Sequence, residues 1–292
     1  MTWTFYQAGA LHETVFAFPL FLVEPIIPFG GIVVLHGPKT AGKTQFALTL
    51  AIAVASGSLF LHEYQCQSGS VVFVEADMTA QTLQSRVQSA PGTRALHFLH
   101  ADPFDIVHVA RTRPLPEGIV LAQAQCPALL VVDSLRKTNV HDEVNSSTPT
   151  LVYESWKRLF PHSTLLFIHH DRKKPTDPNA YLHPEEAARG TGAWLDDADT
   201  GLHLTRQRET KYGHICTLTF SKCRTAEEPP PMVLKMHDES LLIEPTKPTA
   251  RQSLVAWKTD NPIATREEAR TWFADQKIGG RALCYRLVAE IW

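Results

Sequence analysis

Cysteine is scarce and unpatterned in this chain. Five cysteines, Cys66, Cys126, Cys216, Cys223 and Cys284, are scattered over 292 residues with no C-x-x-C spacing. An odd, dispersed set excludes a disulfide framework and fits free thiols in a reducing cytoplasm. Long hydrophobic runs are also missing. The apolar stretch Val15–Val23 falls well short of the roughly 18 residues that a membrane-spanning helix needs, and it contains Pro19. It reads instead as a strand or arm packed on the domain or on a neighbouring subunit. The opening residues show no basic stretch followed by an apolar core, so no targeting segment is expected. Neither sign of charge prevails: 28 Lys and Arg stand against 30 Asp and Glu, a net charge of −2. No global basic field announces nucleic acid, although a ring or groove could still carry a local basic stripe. No internal repeat or low-complexity tract is visible.

The most informative feature present is GPKTAGKT at Gly37–Thr44. It fits G-x-x-x-x-G-K-[ST] at every fixed position. The apolar run Ile32-Val33-Val34-Leu35 precedes it as a short buried strand, and a helical pattern over Gln45–Ser56 follows. Strand, glycine loop and helix is the setting that turns a pattern match into a phosphate-binding site. The loop Gly37-Pro38-Lys39-Thr40-Ala41-Gly42 curls so that backbone N–H groups point at a polyphosphate. The helix N-terminus at Lys43, Thr44 and Gln45 adds partial positive charge. Lys43 is placed to reach the β- and γ-phosphates of ATP, and the Thr44 hydroxyl to hold Mg²⁺.

Residues 1–30 form an N-terminal arm that ends in the turn Pro28-Phe29-Gly30-Gly31. Over residues 31–248, short apolar runs alternate with helical stretches. Strands are expected at Val71–Val74, Ala95–His100, Ala128–Val132 and Thr164–Ile168, and helices at Thr79–Ser89 and Thr150–Phe160. This alternation predicts an α/β core: a mostly parallel sheet with helices on both faces. After Gly190 come the short strands Gly201–Arg206, His214–Phe220, Met232–Met236 and Leu241–Glu244. They predict an antiparallel extension, the last two as a hairpin. Pro245 and Pro248 mark a boundary. Residues 249–292 then read as a small helical tail: Gln252–Lys258, Thr265–Asp275 and Gly279–Ile291, with Thr265 and Glu268 at capping-box spacing. The tail has the size of a helix-turn-helix or winged-helix unit, and equally of a bundle docking on the core.

A nucleotide hydrolase needs more than a phosphate cradle. Asp133 closes the strand Leu129-Leu130-Val131-Val132 in the Walker B form, which sets a carboxylate beside the P-loop for Mg²⁺. Glu75 and Asp77 follow the strand Val71–Val74, where a carboxylate can orient the attacking water. The alternative for Asp77 is to cap the helix near Thr79. His169 and His170 end the strand Leu165-Leu166-Phe167-Ile168 and suit a sensor of the γ-phosphate. No second ligand pair of matching spacing supports zinc there. Lys222 and Arg224 lie at an exposed strand end, where a cation supplied to a neighbouring subunit would sit.

On the strings GGIVVLHGPKTAGKT, VVFVEADMT, LLVVDSLRKTNVHDEVNSST, LLFIHHDRK, RGTGAWLDDAD and FSKCR, the chain resembles the RecA/DnaB superfamily of ATPases. Within it, the likeness is to the small plasmid RepA-type hexameric helicases. The resemblance implies a RecA-like P-loop core, ATP hydrolysis at the subunit interfaces of a hexameric ring, and single-stranded DNA in its centre. Two departures stand out. The family's catalytic carboxylate is usually Glu, where this chain has Asp77, with Glu75 two residues earlier. RepA-type helicases carry an Arg shortly after RG[ST], where this chain has Asp199. Lys222-Cys223-Arg224 looks instead like the K-x-R finger of DnaB-type helicases.

In such folds the loops after the fourth and fifth strands face the pore. Here these are Arg136–Ser147 and Asp171–Arg189. They offer Arg136, Lys137, Arg172, Lys173, Lys174 and Arg189 to DNA phosphates, without sequence preference. The expected function is an ATP- and Mg²⁺-dependent motor of the cytoplasm, without a membrane role. It would be a ring helicase serving a plasmid, phage or integrated element alongside other replication proteins. The rivals are a RecA-like regulator or loader without translocation, and a scaffold that binds ATP without turnover.

Overall fold

Alternation at a period of two decides how the central strands are buried. The computed structural model describes residues 7–8, 20–88, 94–172, 187–188, 190, 192–237, 243–276 and 279–292. Its elements run β1 (Phe21–Glu24), β2 (Ile27–Pro28), β3 (Ile32–Gly37), α1 (Lys43–Ser56), β4 (Leu59–Phe60), β5 (Tyr64–Cys66), β6 (Val71–Glu75), α2 (Ala80–Val87) and β7 (Leu96–His100). There follow α3 (Ile106–Val109), α4 (Glu117–Ala124), β8 (Leu129–Asp133), a 3-10 turn (Leu135–Thr138), α5 (Thr148–Leu159), β9 (Thr164–His170) and α6 (Ala193–Asp196). The chain closes with β10 (Thr200–Thr210), β11 (Gly213–Cys223), β12 (Met232–His237), β13 (Ile243–Pro245), α7 (Ala250–Asp260), α8 (Arg266–Gln276) and α9 (Arg281–Ile291).

Nine of the described strands form one sheet, ordered β13-β12-β11-β10-β3-β9-β8-β6-β7. From β10 to β7 every neighbouring pair is parallel. From β10 to β13 the pairs are antiparallel. Successive residues of the parallel strands enter opposite cores. Val33, Leu35, Phe73, Val131 and Leu166 share a core with Phe46, Leu50 and Val54 of α1. Val34, Val72, Leu130 and Phe167 share the other with Ile106, Ile119 and Trp156 of α3, α4 and α5. Burial on both faces is the reason these strands read as unbroken apolar runs.

The structure adds elements that the sequence pattern does not predict. β2, β1, β5 and β4 make a small second sheet on the α1 face, and β1 overlaps the end of Val15–Val23, the stretch read as a strand or arm. Strands of two to four residues carry too little alternation to be recognised. The rest of Val15–Val23, residues 15–19, lies outside the described residues, as do residues 238–242, which include the start of the expected strand Leu241–Glu244. α3 and α4, of four and eight residues, are also too short to display a helical period.

The tail packs around Leu254, Phe273 and Leu287. Thr249 and Gln252 form a capping box at α7, and Thr265 with Glu268 closes the start of α8 as its spacing predicts. Trp257 stacks on Trp272 at 5.2 Å and lies 6.0 Å from Trp292. The bundle is docked on the core. Thr249 donates to the His62 carbonyl, Arg251 donates to Glu63 from its backbone and side chain, and Arg286 donates to the Glu24 carbonyl. No helix of the described residues is long and apolar enough to cross a membrane.

Phe273 is fully buried in the tail core. Truncating such a residue costs about 3–5 kcal/mol. Phe273→Ala is expected to melt the tail ahead of the sheet. The near-UV signal of the stacked tryptophans should then be lost at lower denaturant, while the far-UV midpoint of the core holds. A single transition unchanged from the parent would refute this.

Candidate nucleotide site

The P-loop is held from below by the antiparallel extension. Gly42, which precedes α1, has φ 89°, and a Cβ there would stand 2.4 Å from Met236 Sδ on β12. A Cβ at Gly37 would stand 2.2 Å from the Leu204 carbonyl oxygen on β10. Both positions therefore require glycine. Arg206 donates to the Thr40 carbonyl at 3.1 Å, the Cys216 thiol lies 3.2 Å from the Ala41 carbonyl, and Gln45 donates to the His237 carbonyl at 2.9 Å. Lys39 and Thr40 form the exposed tip, next to Pro38.

The first turn of α1 holds no acidic residue, so nothing on the helix itself offsets its N-terminal partial charge. Lys43 is buried and folds back on the loop, donating to the Gly37 and Pro38 carbonyls at 2.8 Å each. Burial lowers its pKa to about 8, while Asp171 and Asp133 favour the charged form. A polyphosphate in the cradle would compete for this ammonium.

Thr44 donates to Asp133 Oδ2 at 2.6 Å. A hydroxyl and a carboxylate are hard oxygen donors, the set that Mg²⁺ takes. Thr44 and Asp133 thus fit that ion, which on binding would neutralise phosphate charge. In the β6–β8 ladder Glu75 stands opposite Asp133. Both continue the strand face that α1 covers. Glu75 is fully buried, and its Oε1 accepts the N–H groups of Asp77 and Met78 at 2.7 and 2.8 Å. Its Oε2 has no hydrogen-bond partner among the described residues. Burial raises the Glu75 pKa, and burial together with the Glu75 charge raises Asp133 to about 7. Asp77 lies outside this pair, half-exposed and 3.8 Å from Lys137 Nζ. The cap of α2 is Thr79.

The same alternation separates the two histidines of β9. His169 belongs to the face away from α1 and lies 5.5 Å from the Trp194 ring. His170 belongs to the α1 face and aligns with Gly37 in the β3–β9 ladder. Lys222 donates to the carbonyls of Leu195 and Asp196 at 2.9 and 2.6 Å. Arg224 meets Asp199 Oδ1 at 3.2 Å, and the other Asp199 oxygen accepts the Ile32 N–H at 2.9 Å. Arg224 is therefore level with the start of β3. At ~3.3 Å per residue that is roughly 15 Å from its own Gly37, beyond the reach of its side chain.

Of the six basic residues expected to face DNA, Lys173, Lys174 and Arg189 lie outside the described residues. The other three have partners within the chain. Arg136 lies 3.5 Å from Glu143, Lys137 lies near Asp77, and Arg172 donates to the carbonyls of Ala188 and Gly190.

One cluster has no counterpart in the sequence reading. His36 Nδ1 lies 2.9 Å from Asp171 Oδ1, and His203 Nε2 lies 3.0 Å from Asp171 Oδ2. The two rings stack with centroids 4.5 Å apart. Burial alone would raise the Asp171 pKa, but the hydrogen bonds from His203 and His36 outweigh it and hold the carboxyl at about 2. The members are 135 and 32 residues apart, so no local spacing signals them.

A carboxyl raised to about 7 favours folding when it is protonated. Its contribution is complete below about 3.8, the ordinary value, and is lost as pH rises through 7. Asp133→Asn is therefore expected to melt above the parent at pH 8 in EDTA, with the gap closing towards pH 4. A gap that does not change with pH would count against a strained Asp133.

Residues 18–176 match the AAA domain family, more than half of the chain. Among solved structures, the chain is similar to a KaiC-like protein of the hyperthermophilic archaeon Pyrococcus horikoshii OT3. The two are 16% identical, with a TM-score of 0.54 over 77% of this chain and 94% of that one. At that identity the likeness carries the fold alone. No curated protein gives a significant match. The P-loop between β3 and α1, the parallel sheet around it and the matched span agree: the chain belongs to the AAA domain family, as a P-loop ATPase with a RecA-like core.

Proposed function

We propose that the protein hydrolyses ATP with Mg²⁺ as a homo-oligomeric ring, and that this cycle drives it along single-stranded DNA as a helicase. The replicon would be that of a plasmid, phage or integrated element. The hydrolytic part rests on one observation: Thr44 meets Asp133 at 2.6 Å, with Glu75 facing Asp133 across the ladder. Lys43 would leave the Gly37 and Pro38 carbonyls for the terminal phosphates. Glu75, with Oε2 unpartnered among the described residues and on the α1 face, would orient the attacking water, in preference to Asp77. His170 is the sensor candidate on that face.

The ring is supported by the position of Arg224, with Lys222 beside it: too far to serve its own P-loop, and suited to a neighbour's. DNA contact is supported by Arg136, Lys137 and Arg172, which follow β8 and β9 at the sheet end that carries the P-loop. A second reading, an ATPase regulator without translocation, is favoured by the pairing of Arg136 with Glu143 and of Lys137 with Asp77, which weakens the basic stripe.

Lys43→Ala is expected to abolish phosphate release. Glu75→Gln should cut turnover by ~10²–10⁴ while ATP still binds, the range for loss of a positioned base. Asp77→Asn should change it far less. The opposite ranking would return the role to Asp77. Removing a trans-acting arginine costs ~10³–10⁵ in characterised cases. Arg224→Ala should show a loss of this kind, partly recovered on mixing with Lys43→Ala subunits. ATPase with and without single-stranded DNA, joined to a strand-displacement assay and mass determination, separates the two readings. Stimulation with displacement supports the helicase; hydrolysis indifferent to DNA supports the regulator.

A further inference from the structure

We propose that Asp171, gripped between His36 and His203, is the positioning residue that keeps the P-loop in shape when Lys43 leaves it. This rests on the nucleotide-site reading above. The Gly37 carbonyl accepts from Lys43 Nζ at 2.8 Å and from the Asp171 N–H at 3.1 Å. Once Lys43 turns to a phosphate, the Asp171 N–H is the partner that remains. Gly37 is buried, and a buried carbonyl without a partner is costly. The place of Asp171 then decides whether the first residue of the loop stays where the cradle needs it.

Asp171 follows the last residue of β9, so the strand alone does not fix its side chain. The two imidazoles do. His36 comes from β3 and is fully buried; His203 comes from β10 and is 8% exposed. Each binds a different carboxylate oxygen. His36 is also the residue before Gly37. The carboxylate of Asp171 therefore holds His36 while its N–H holds Gly37, a two-point clamp on consecutive residues. Ser221 on β11 lies 3.3 Å from His36 Nε2. With Nε2 accepting from that hydroxyl, Nδ1 of His36 carries the proton and donates to Asp171. His203 donates from Nε2.

Two histidines and an aspartate also have the composition of a metal site. The geometry speaks against one. The rings are 14° from parallel with centroids 4.5 Å apart. An ion bound at ~2.0–2.1 Å from both nitrogens would lie well out of the plane of at least one ring, away from its lone pair. Both nitrogens are directed at the carboxylate.

The donors differ in position, and this gives a test by replacement in the full-length protein. The amide nitrogen of Asn stands about where Nδ1 of His stands, and that of Gln about where Nε2 does. His36→Asn and His203→Gln are expected to bind MgATP near the parent affinity. The crossed variants His36→Gln and His203→Asn, and the truncations Asp171→Ala and His36→Ala, should bind roughly 10–100-fold more weakly, the scale of one lost charge-assisted hydrogen bond. Turnover at saturating ATP should fall less. Hydrogen exchange of residues 37–44 in the ligand-free variants gives a readout that needs no nucleotide: faster in the crossed and truncated set, unchanged in the matched pair. A parent that binds no ATP would sink the nucleotide-site reading, and the exchange pattern would still decide the clamp. Equal affinity and equal exchange across all variants would overturn the clamp. So would an equal loss in matched and crossed variants, because ring shape rather than donor position would then be what matters.

Discussion

The nucleotide site depends on a crossing. β9 lies between β3, which carries the P-loop, and β8, which carries Asp133. Strands in a sheet stand about 4.8 Å apart, so the two strand ends are separated by roughly 10 Å. The loop Gly37–Gly42 and the first turn of α1 span that gap and bring the Thr44 hydroxyl to Asp133 at 2.6 Å. The end of β9 is left directly beneath the loop, with His170 on the α1 face and Asp171 just beyond. Every group assigned to the chemistry follows from this order. Glu75 reaches Asp133 because β6 is the next strand out. Asp171 reaches Gly37 because β9 is the strand between.

The arrangement holds its charged groups against an electrostatic cost. Glu75 and Asp133 are buried opposite each other, and burial raises both carboxyl groups. Lys43, whose charge favours the ionised form of Asp133, is itself pushed down by burial. Two acids inclined to stay protonated and an amine inclined to lose its proton form a site that a cation and a polyanion together would relieve. Perturbed groups of this kind persist because the two cores on either side of the sheet fix the strand ends independently of the site.

The legible part of the sequence was the local part. GPKTAGKT is eight consecutive residues, and its meaning depends only on the strand and helix that flank it. Asp133 could be read because four buried residues precede it. The choice between Glu75 and Asp77 turns on where β6 ends, and that between His169 and His170 on which face of β9 each occupies. That needs the register, which local pattern does not supply. The His36–Asp171–His203 cluster and the tie of Arg224 to Asp199 join residues distant in the chain, so no spacing announces them. Docking of the tail is of the same kind: Thr249 and Arg251 meet His62 and Glu63 across 187 and 188 residues of sequence. Its helices were readable locally, the second from the capping-box spacing of Thr265 and Glu268, but their partner was not.

The antiparallel strands after Gly190 take on a different meaning in three dimensions. As sequence they read as an appendage to a parallel sheet. In the fold they are the bed of the P-loop: Leu204 beneath Gly37, Cys216 beneath Ala41, Met236 beneath Gly42 and the His237 carbonyl on Gln45. The contact at Gly37 is with the backbone of β10, so the loop's first residue cannot shift into it without moving that strand, whereas at Gly42 the neighbour is the Met236 side chain of β12. β11 lies between those two strands and ends at Lys222 and Arg224. The strand that leads to those two residues is thus also part of the bed on which the loop rests, through the Cys216 thiol beneath Ala41.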